Sequence, residues 1–189
     1  RVSKDLGQRV FDEVFPRLAD ALMRGDLQAQ KESFGSGSMK RQRCTPDYLD
    51  ELREATLVLL YRLLFLFYAE DRLLLPARDE RYRPYSVRAL RERVRDDIDA
   101  GKALSTRLDH LWRELKGVFL LIDEGDDAVG MPAYNGGLFE RARSPLLERT
   151  RVADAVMAPI IDALSRRSED IHKLWINYRD LSVSHLGGI

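Results

Sequence analysis

The sequence contains a single cysteine, Cys44, among its 189 residues. One thiol excludes a disulfide within the chain and any metal site built from several cysteines. Histidine is scarce too, since His110, His172 and His185 lie far apart and match none of the HxxxH, HExxH or CxxC spacings of metal sites. A lone cysteine fits a reducing compartment. We therefore expect a cytoplasmic protein with no metal or cofactor bound by this stretch of chain.

The sequence also lacks net charge, because 31 basic residues balance 31 acidic ones. No global electrostatic field therefore steers the chain towards nucleic acid or a membrane, although zero net charge does not exclude a local basic patch. Arginine outnumbers lysine by 25 to 6. One explanation is recognition of phosphate or carboxylate by the guanidinium fork. The other is a GC-rich genome, which fits arginines that are spread along the whole chain.

The most hydrophobic stretch, residues 54–76 (EATLVLLYRLLFLFYAEDRLLLP), is not an uninterrupted apolar run. A membrane-spanning helix needs about 20 predominantly apolar residues, and this stretch is broken by Arg62, Glu70, Asp71 and Arg72. At helical spacing it is apolar almost all round, which is typical of a helix buried by other helices. We expect a central core helix over about residues 46–75, begun by Thr45 and Pro46, and no membrane partner.

Apolar periodicity predicts further helices on both sides of this one. They cover about residues 4–24 with a bend at Pro16, 86–100 between Ser86 and Gly101, 105–122 with Leu108 facing inward, and 152–164 with Val156 facing inward. No strand pattern longer than a few residues is present. The predicted fold class is all-α, an irregular multi-helix bundle around the central buried helix. An ordered glycine-rich turn segment is expected over residues 123–139.

The chain divides into three predicted parts. Residues 1–31 form an N-terminal helix, residues 32–45 a flexible basic loop, and residues 46–189 a helical domain. The chain begins with Arg1 and ends on HLGGI, and we expect it to be a fragment of a longer protein.

Two stretches resemble ligand-binding motifs only superficially. The glycines of Phe34–Gly37 have the composition of a nucleotide or S-adenosylmethionine loop, but no hydrophobic strand precedes them, which favours a flexible loop. The acidic run at residues 123–127 lacks the spacing of a calcium loop, which favours a solvated loop. The pattern indicates no catalytic constellation.

Basic residues offer the remaining candidate site. Two groups of cations, with Tyr82 and Tyr85 interleaved in the second, are candidates for contact with a nucleic-acid backbone. Acidic residues mixed into the second group favour instead a salt-bridged, solvated helix face. Both interpretations stay open. The DNA-contact candidates are Lys40, Arg41, Arg43, Arg81, Arg83 and Arg88.

Three stretches in this order, LYRLLFLFYAEDRLLLP (60–76), MPAYNGGLF (131–139) and YRDLSVSHLGGI (178–189), resemble a known family. They are similar to the helical connector region that precedes the methyltransferase domain of type IIG-like restriction-modification enzymes. These enzymes, with related bacterial phage-defence methylases, modify adenine N6 in DNA. The family signature positions are Tyr134, Asn135, Gly136, Gly137, Leu138, Phe139, Asp180, His185 and Leu186.

The resemblance implies a helical connector domain over residues 46–189, leading into a methyltransferase domain that would begin after HLGGI. It implies S-adenosylmethionine, and in some members Mg²⁺, as cofactors of the parent enzyme, and double-stranded DNA and the adjoining methyltransferase and nuclease domains as partners. The family's Asn/Asp-Pro-Pro-Tyr motif, which holds the flipped adenine, has no counterpart here, since the chain contains no Pro-Pro pair. The signature positions are expected to be structural, with Gly136 and Gly137 allowing a tight turn.

Three hypotheses follow for this chain. The first is a helical spacer without chemistry of its own, which positions a methyltransferase and a nuclease on DNA. The second is a protein-protein interaction module that recruits another defence subunit through an exposed apolar helix. The third is an independent enzyme, which a pocket with converging titratable residues would support.

Overall fold

The computed structural model describes residues 2–34, 45–134, 136–169 and 171–180, and it is mostly helical. Two helices, α1 (Val2–Arg9) and α2 (Phe15–Phe34), flank a π-helical segment, Val10–Val14. The other helices are α3 (Pro46–Asp71), α4 (Val87–Asp99), α5 (His110–Glu124), α6 (Pro145–Arg149) and α7 (Asp154–Ser165). Strands β1 (Arg166–Glu169) and β2 (His172–Trp175) form an antiparallel hairpin, and 3-10 turns lie at Arg83–Tyr85, Arg141–Arg143 and Tyr178–Asp180.

Helix α3 is the centre of the core, as the sequence predicts. Thr45 caps it by accepting a hydrogen bond from the Tyr48 amide at 3.3 Å, and Pro46 occupies the first turn. Its Leu59, Leu63 and Phe67 side chains are fully buried, and α2, α4 and α6 pack around it. Among the described residues, no helix combines the length and the apolar character needed to cross a bilayer.

Helix α3 ends at Asp71, four residues before the predicted end near residue 75. The termination is a backbone motif and does not depend on Pro76. Leu73 adopts a left-handed conformation (φ 58°), while the Leu74 amide donates to the Ala69 carbonyl at 2.8 Å. Such a bond closes the last turn of a helix. The sequence gives no warning of it, since the position usually carries glycine.

The N-terminal helical region is longer than the predicted 4–24 and reaches Phe34. Pro16 lacks an amide proton, and a π-helical segment lies just before it, where the sequence predicts a bend. The extension beyond residue 24 is held by tertiary contacts. Asp26, which is fully buried, accepts hydrogen bonds from the Tyr48 hydroxyl (3.0 Å) and from Arg149 Nε (2.6 Å). Of the predicted loop 32–45, residues 35–44 lie outside the described residues.

The later helices match the predictions in position but not at every residue. Ser86 caps α4 and Gly101 follows it with φ 62°, both as predicted. The predicted inward orientations of Leu108 and Val156 are wrong, since both are exposed. Helix α5 begins only at residue 110 because Asp154 fixes the preceding segment: its amide donates to the Leu108 carbonyl at 2.9 Å.

The β-hairpin corrects the expectation that the chain has no strands. Arg166 pairs with Trp175 across it and Glu169 with His172. The strand sequences, RRSE and HKLW, lack a hydrophobic alternation, so their conformation depends on neighbours. Arg166 forms ion pairs with Asp162 (2.6 Å) and Asp99 (2.7 Å), which tie β1 to α7 and α4.

Candidate functional site

Described parts of the stretches 131–139 and 178–189 each pack against residues 60–76, in or just after the C-terminal half of α3, and we call this region the signature junction. It contains residues 60–76, 131–134, 136–139 and 178–180. Its first contact joins α3 to the glycine-rich segment. Arg62 is 2% exposed and donates from Nε to the Leu138 carbonyl at 2.8 Å and from Nη2 to the Glu140 carbonyl at 2.9 Å.

The Arg62 guanidinium is also enclosed by aromatic rings. Its central carbon lies 5.2 Å from the Phe119 ring centroid and 5.8 Å from that of Phe139. Burial lowers the pKa of Arg62 from its ordinary value. A cation removed from water in this way is tolerated because carbonyl dipoles and ring faces replace its hydration. Arg62 therefore fixes the position of the glycine-rich segment against the core.

The glycine-rich segment folds back on itself. Asp126 and Met131 form an antiparallel bridge, and a Cβ at Gly125, where φ is 70°, would lie 2.6 Å from the Ala133 nitrogen. Only glycine allows both this conformation and this approach. The Tyr134 hydroxyl then donates to the Leu74 carbonyl at 2.8 Å. The turn thereby fastens the end of α3.

The other signature positions complete the same contact. Phe139 is buried, with its ring centroid 5.4 Å from that of Phe65, and Leu138 packs on the core partly buried. Gly136 donates its amide to the Tyr134 carbonyl, and Gly137 has φ 73°. Asn135, His185 and Leu186 lie outside the described residues.

The third stretch reaches the junction through Tyr178. This side chain is fully buried and donates its hydroxyl to the Leu164 carbonyl at 2.6 Å, while its ring centroid lies 5.6 Å from that of Phe67. Its amide donates to the Asp71 carboxylate at 3.3 Å, and Arg179 Nε donates to the Asp71 carbonyl at 3.2 Å. Asp180 ends the same 3-10 turn.

A second buried arginine, Arg91 of α4, holds the hairpin at this junction. Its guanidinium lies 4.4 Å from the Phe67 ring, 5.1 Å from Trp175 and 5.4 Å from Tyr178. Nε donates to the Ser165 hydroxyl at 3.0 Å, and burial lowers the pKa of Arg91. Its sequence position indicates burial in retrospect, because it follows Val87 by four residues on the apolar face of α4.

A cleft of about 320 Å³ opens beside the junction, lined by Asp71, Arg88, Arg91, Trp175, Ile176, Asn177 and Arg179. Three guanidinium groups against one carboxylate give it a positive surplus. Such a cleft can accept an anionic group. Within the described part of the chain, no cluster of three potential ligands from His, Cys, Asp or Glu is arranged to hold a metal.

The structure disperses the DNA-contact candidates. Lys40, Arg41 and Arg43 lie outside the described residues. Arg81 binds Asp79 at 2.6 Å and also donates to the Asp127 carbonyl. It therefore joins the segment between α3 and α4, residues 72–86, to the acidic turn at residues 123–127. The Arg81 side chain lowers the pKa of Asp79 to about 2 by hydrogen bonding to its carboxylate.

The remaining two candidates are exposed. Arg83 lies in the 3-10 turn before α4, and Arg88 lies in the first turn of α4, 3.3 Å from Glu92 and 3.9 Å from Asp71. Of the two tyrosines proposed to interleave with these cations, Tyr82 is fully buried and Tyr85 is 37% exposed. A nucleic acid would therefore meet Tyr85 but not Tyr82.

Comparisons of the chain with models of protein families, with curated proteins and with solved structures found no significant match. The function must therefore be argued from the residues and their geometry.

Proposed function

We propose that this chain is the helical connector of a bacterial restriction-modification or phage-defence protein. In this role it positions an adenine-N6 DNA methyltransferase, and in some arrangements a nuclease, on double-stranded DNA. It acts in the cytoplasm and carries out no chemistry of its own. S-adenosylmethionine, with Mg²⁺ where a nuclease is present, belongs to the parent enzyme.

The observation that carries the proposal is the signature junction. Three stretches far apart in the sequence carry the family resemblance, and the second and the third each contact the first, in or just after the C-terminal half of α3. The contacts run through Arg62 to Leu138, through Tyr134 to Leu74, and through Tyr178 to Asp71. Two of these bonds end on backbone carbonyls and the third on the Asp71 carboxylate, and together with the buried rings of Phe139 and Tyr178 they fix relative position firmly. A spacer needs such rigidity, because displacing a catalytic domain by about 1 Å can greatly slow its reaction.

Methyl transfer by the complete natural protein tests this proposal. We expect the protein, supplied with S-adenosylmethionine, to form N6-methyladenine in duplex DNA, and DNA already methylated by the same protein to accept no more. In that protein, Arg62→Met should lower the rate of methyl transfer. Arg53→Met, at an exposed position on the same helix, serves as the matched control. Absence of methylation with every duplex and with S-adenosylmethionine present would refute the proposal.

One observation favours the second candidate function, a protein-interaction module. The hairpin exposes large apolar side chains, with Ile171 at 91%, Leu174 at 44% and Trp175 at 39% of their surface. Exposed apolar groups of this kind are typical of protein-binding surfaces. This function predicts a stable complex with another defence subunit that survives high salt and is lost in Ile171→Ser. A DNA complex, in contrast, weakens steeply with salt.

A further inference from the structure

A basic groove begins beside the signature junction, where Arg62 and Phe139 line one of its depressions, and extends away from it. Three depressions of about 550, 550 and 230 Å³ adjoin, since the first two share Asp109 and Arg151 and the last two share Lys116 and Glu148. We define the basic groove by its cations, which lie before α5, on α5 and around α6: Arg107, Arg113, Lys116, Arg141, Arg149 and Arg151.

Three cations of the groove are clearly more exposed than a carboxylate that pairs with them. Arg113 is 62% exposed and its partner Asp109 16%, while Arg141 is 68% exposed and its partner Glu148 26%. Arg149 is 37% exposed and pairs with Asp26, which is completely buried. In these three pairs the positive group is the more exposed one, whereas Lys116 and Glu148 (29% and 26%) and Arg149 and Glu51 (37% and 36%) are exposed almost equally. At the three unequal pairs the surface is therefore more positive than a count of charges suggests.

Two cations of the groove remain unpaired. Arg107 and Arg151 are exposed, and neither side chain forms an ion pair or hydrogen bond with any residue in the described ranges. They line the same depression, at the opposite end of the groove from Arg141. Their guanidinium forks are available for oxygen atoms of a bound anion.

The lining of the groove indicates which polyanion fits. Two large apolar side chains in its lining are strongly exposed to solvent, Val156 at 42% and Leu120 at 39%, and they lie in different depressions, while Trp112 is buried. A protein partner normally anchors through aromatic or aliphatic side chains seated in apolar pockets. A nucleic-acid backbone instead needs a track of Arg and Lys. A groove rather than a single pocket suits a linear chain of phosphates.

We propose that the basic groove binds the phosphodiester backbone of duplex DNA, with Arg107 and Arg151 as phosphate contacts. The choice of DNA as the polyanion rests on the proposed function, and the surface itself is argued from its charges. These residues come from separate parts of the sequence, and none belongs to the candidate set at 40–43 and 81–88.

Binding of a fluorescent duplex of about 20 base pairs, measured by anisotropy over about 50–200 mM salt, tests the proposal. Arg107→Glu/Arg151→Glu should weaken binding at least about tenfold at low salt and reduce the salt slope by about two, because each phosphate contact contributes roughly one. The matched control is Arg78→Glu/Arg83→Glu, which makes the same charge change at exposed positions of the segment between α3 and α4, residues 72–86. It should change affinity less than about twofold.

Three outcomes would overturn the proposal: no binding by the unaltered protein at low salt, equal losses of affinity in both double variants, or displacement of DNA by polyglutamate as effectively as by unlabelled duplex.

Circular dichroism and thermal melting check that the variants fold. If the charge-reversed variant Arg107→Glu/Arg151→Glu does not fold, Arg107→Gln/Arg151→Gln replaces it. If binding depends on the groove but the natural protein methylates no adenine, the proposed function is refuted and the proposal for the groove stands. If the natural protein methylates adenine but the groove variant binds DNA as well as the unaltered protein, the proposed function stands and the proposal for the groove is refuted.

Discussion

Two regions of this molecule are rich in arginine, and they use it differently. In the 78–95 stretch, Arg81 is bound to Asp79 and Arg91 is buried among aromatic rings. Arg95 pairs with Asp96, whose side chain is the more exposed of the two. In the basic groove, the partners of Arg113 and Arg141 are less exposed than the arginines themselves. Each region also holds two exposed arginines without a carboxylate partner among the described residues, Arg78 and Arg83 in the first and Arg107 and Arg151 in the groove. The number of arginines in a stretch therefore does not predict its surface potential.

The difference follows from where the carboxylates come from. In the 78–95 stretch, Arg81 and Arg88 pair with acidic residues of the same stretch and Arg95 with the adjacent Asp96, all within about one helical turn. The groove is assembled from α5, α6 and the segments beside them, and its acidic residues serve other contacts. Asp26, for example, receives hydrogen bonds from Tyr48 as well as Arg149.

The largest effect that would test this comparison is on stability. Arg91→Met should lower the free energy of unfolding by about 3 kcal/mol, because it removes the bond to Ser165 and the ring contacts of a buried cation. Urea unfolding measures this loss. Arg93→Met, at an exposed residue on the same helix that pairs with Glu114, should cost less than about 1 kcal/mol. Equal losses would show that Arg91 is not structural.

The next effect is an increase in DNA affinity. Glu148 lies 3.1 Å from Arg141 Nε and 3.7 Å from Lys116 Nζ, so it neutralises part of the groove. Glu148→Gln should tighten duplex binding about threefold at low salt, since it removes one negative charge beside the bound backbone. Glu92→Gln, beside Arg88 in the other region, is the control for anisotropy titration. A similar gain in both variants would argue against the groove as the contact surface.

A smaller effect concerns the contribution of Arg107 and Arg151 to the free energy of unfolding. Arg107→Gln/Arg151→Gln should change the free energy of unfolding by no more than about 0.5 kcal/mol, because neither side chain makes an ion pair with a described residue. Urea midpoints of the variant and the unaltered protein should agree. A marked loss of stability would mean that these arginines serve the fold and would weaken the case for a binding role.

The smallest effect is the titration of Asp79, which tests whether Arg81 is occupied. The folded pKa is about 2 against an ordinary 3.8, so the contribution of this carboxylate to stability is present above pH 3.8 and is lost as pH falls towards 2. Carboxyl carbon NMR should show Asp79 mostly ionised at about pH 3. Arg81→Gln should return its titration towards the ordinary value. An unchanged titration in the variant would mean that Arg81 is free.

Local sequence signals predicted much of the helical framework. Thr45 with Pro46, Ser86 and Gly101 mark helix ends by chemistry that acts within one turn. The apolar residues on almost all sides of α3 predicted its burial. The same local approach failed for the hairpin and for Leu108, because their conformation is set by Arg166 binding Asp99 and by Asp154 binding the Leu108 carbonyl.

For the candidate sites, too, the sequence predicted local features but not the contacts between distant residues. The glycine-rich segment was expected to be ordered around tight turns, and left-handed glycines lie within it. Arg62 was visible as one charge in an apolar helix, but its two carbonyl partners, at Leu138 and Glu140, are 76 and 78 residues away. The basic groove left no signal at all, since residues 107, 113 and 151 are separated by ordinary helical sequence.

The sequence by itself determined where α3 and α4 begin and which helix is buried, because capping, proline geometry and apolar periodicity act over a few residues. Tertiary structure decided which arginines are neutralised, which are buried and which face solvent. The physical reason is that a charge is balanced by whatever lies within a few ångströms of it, and packing brings those neighbours from distant parts of the chain.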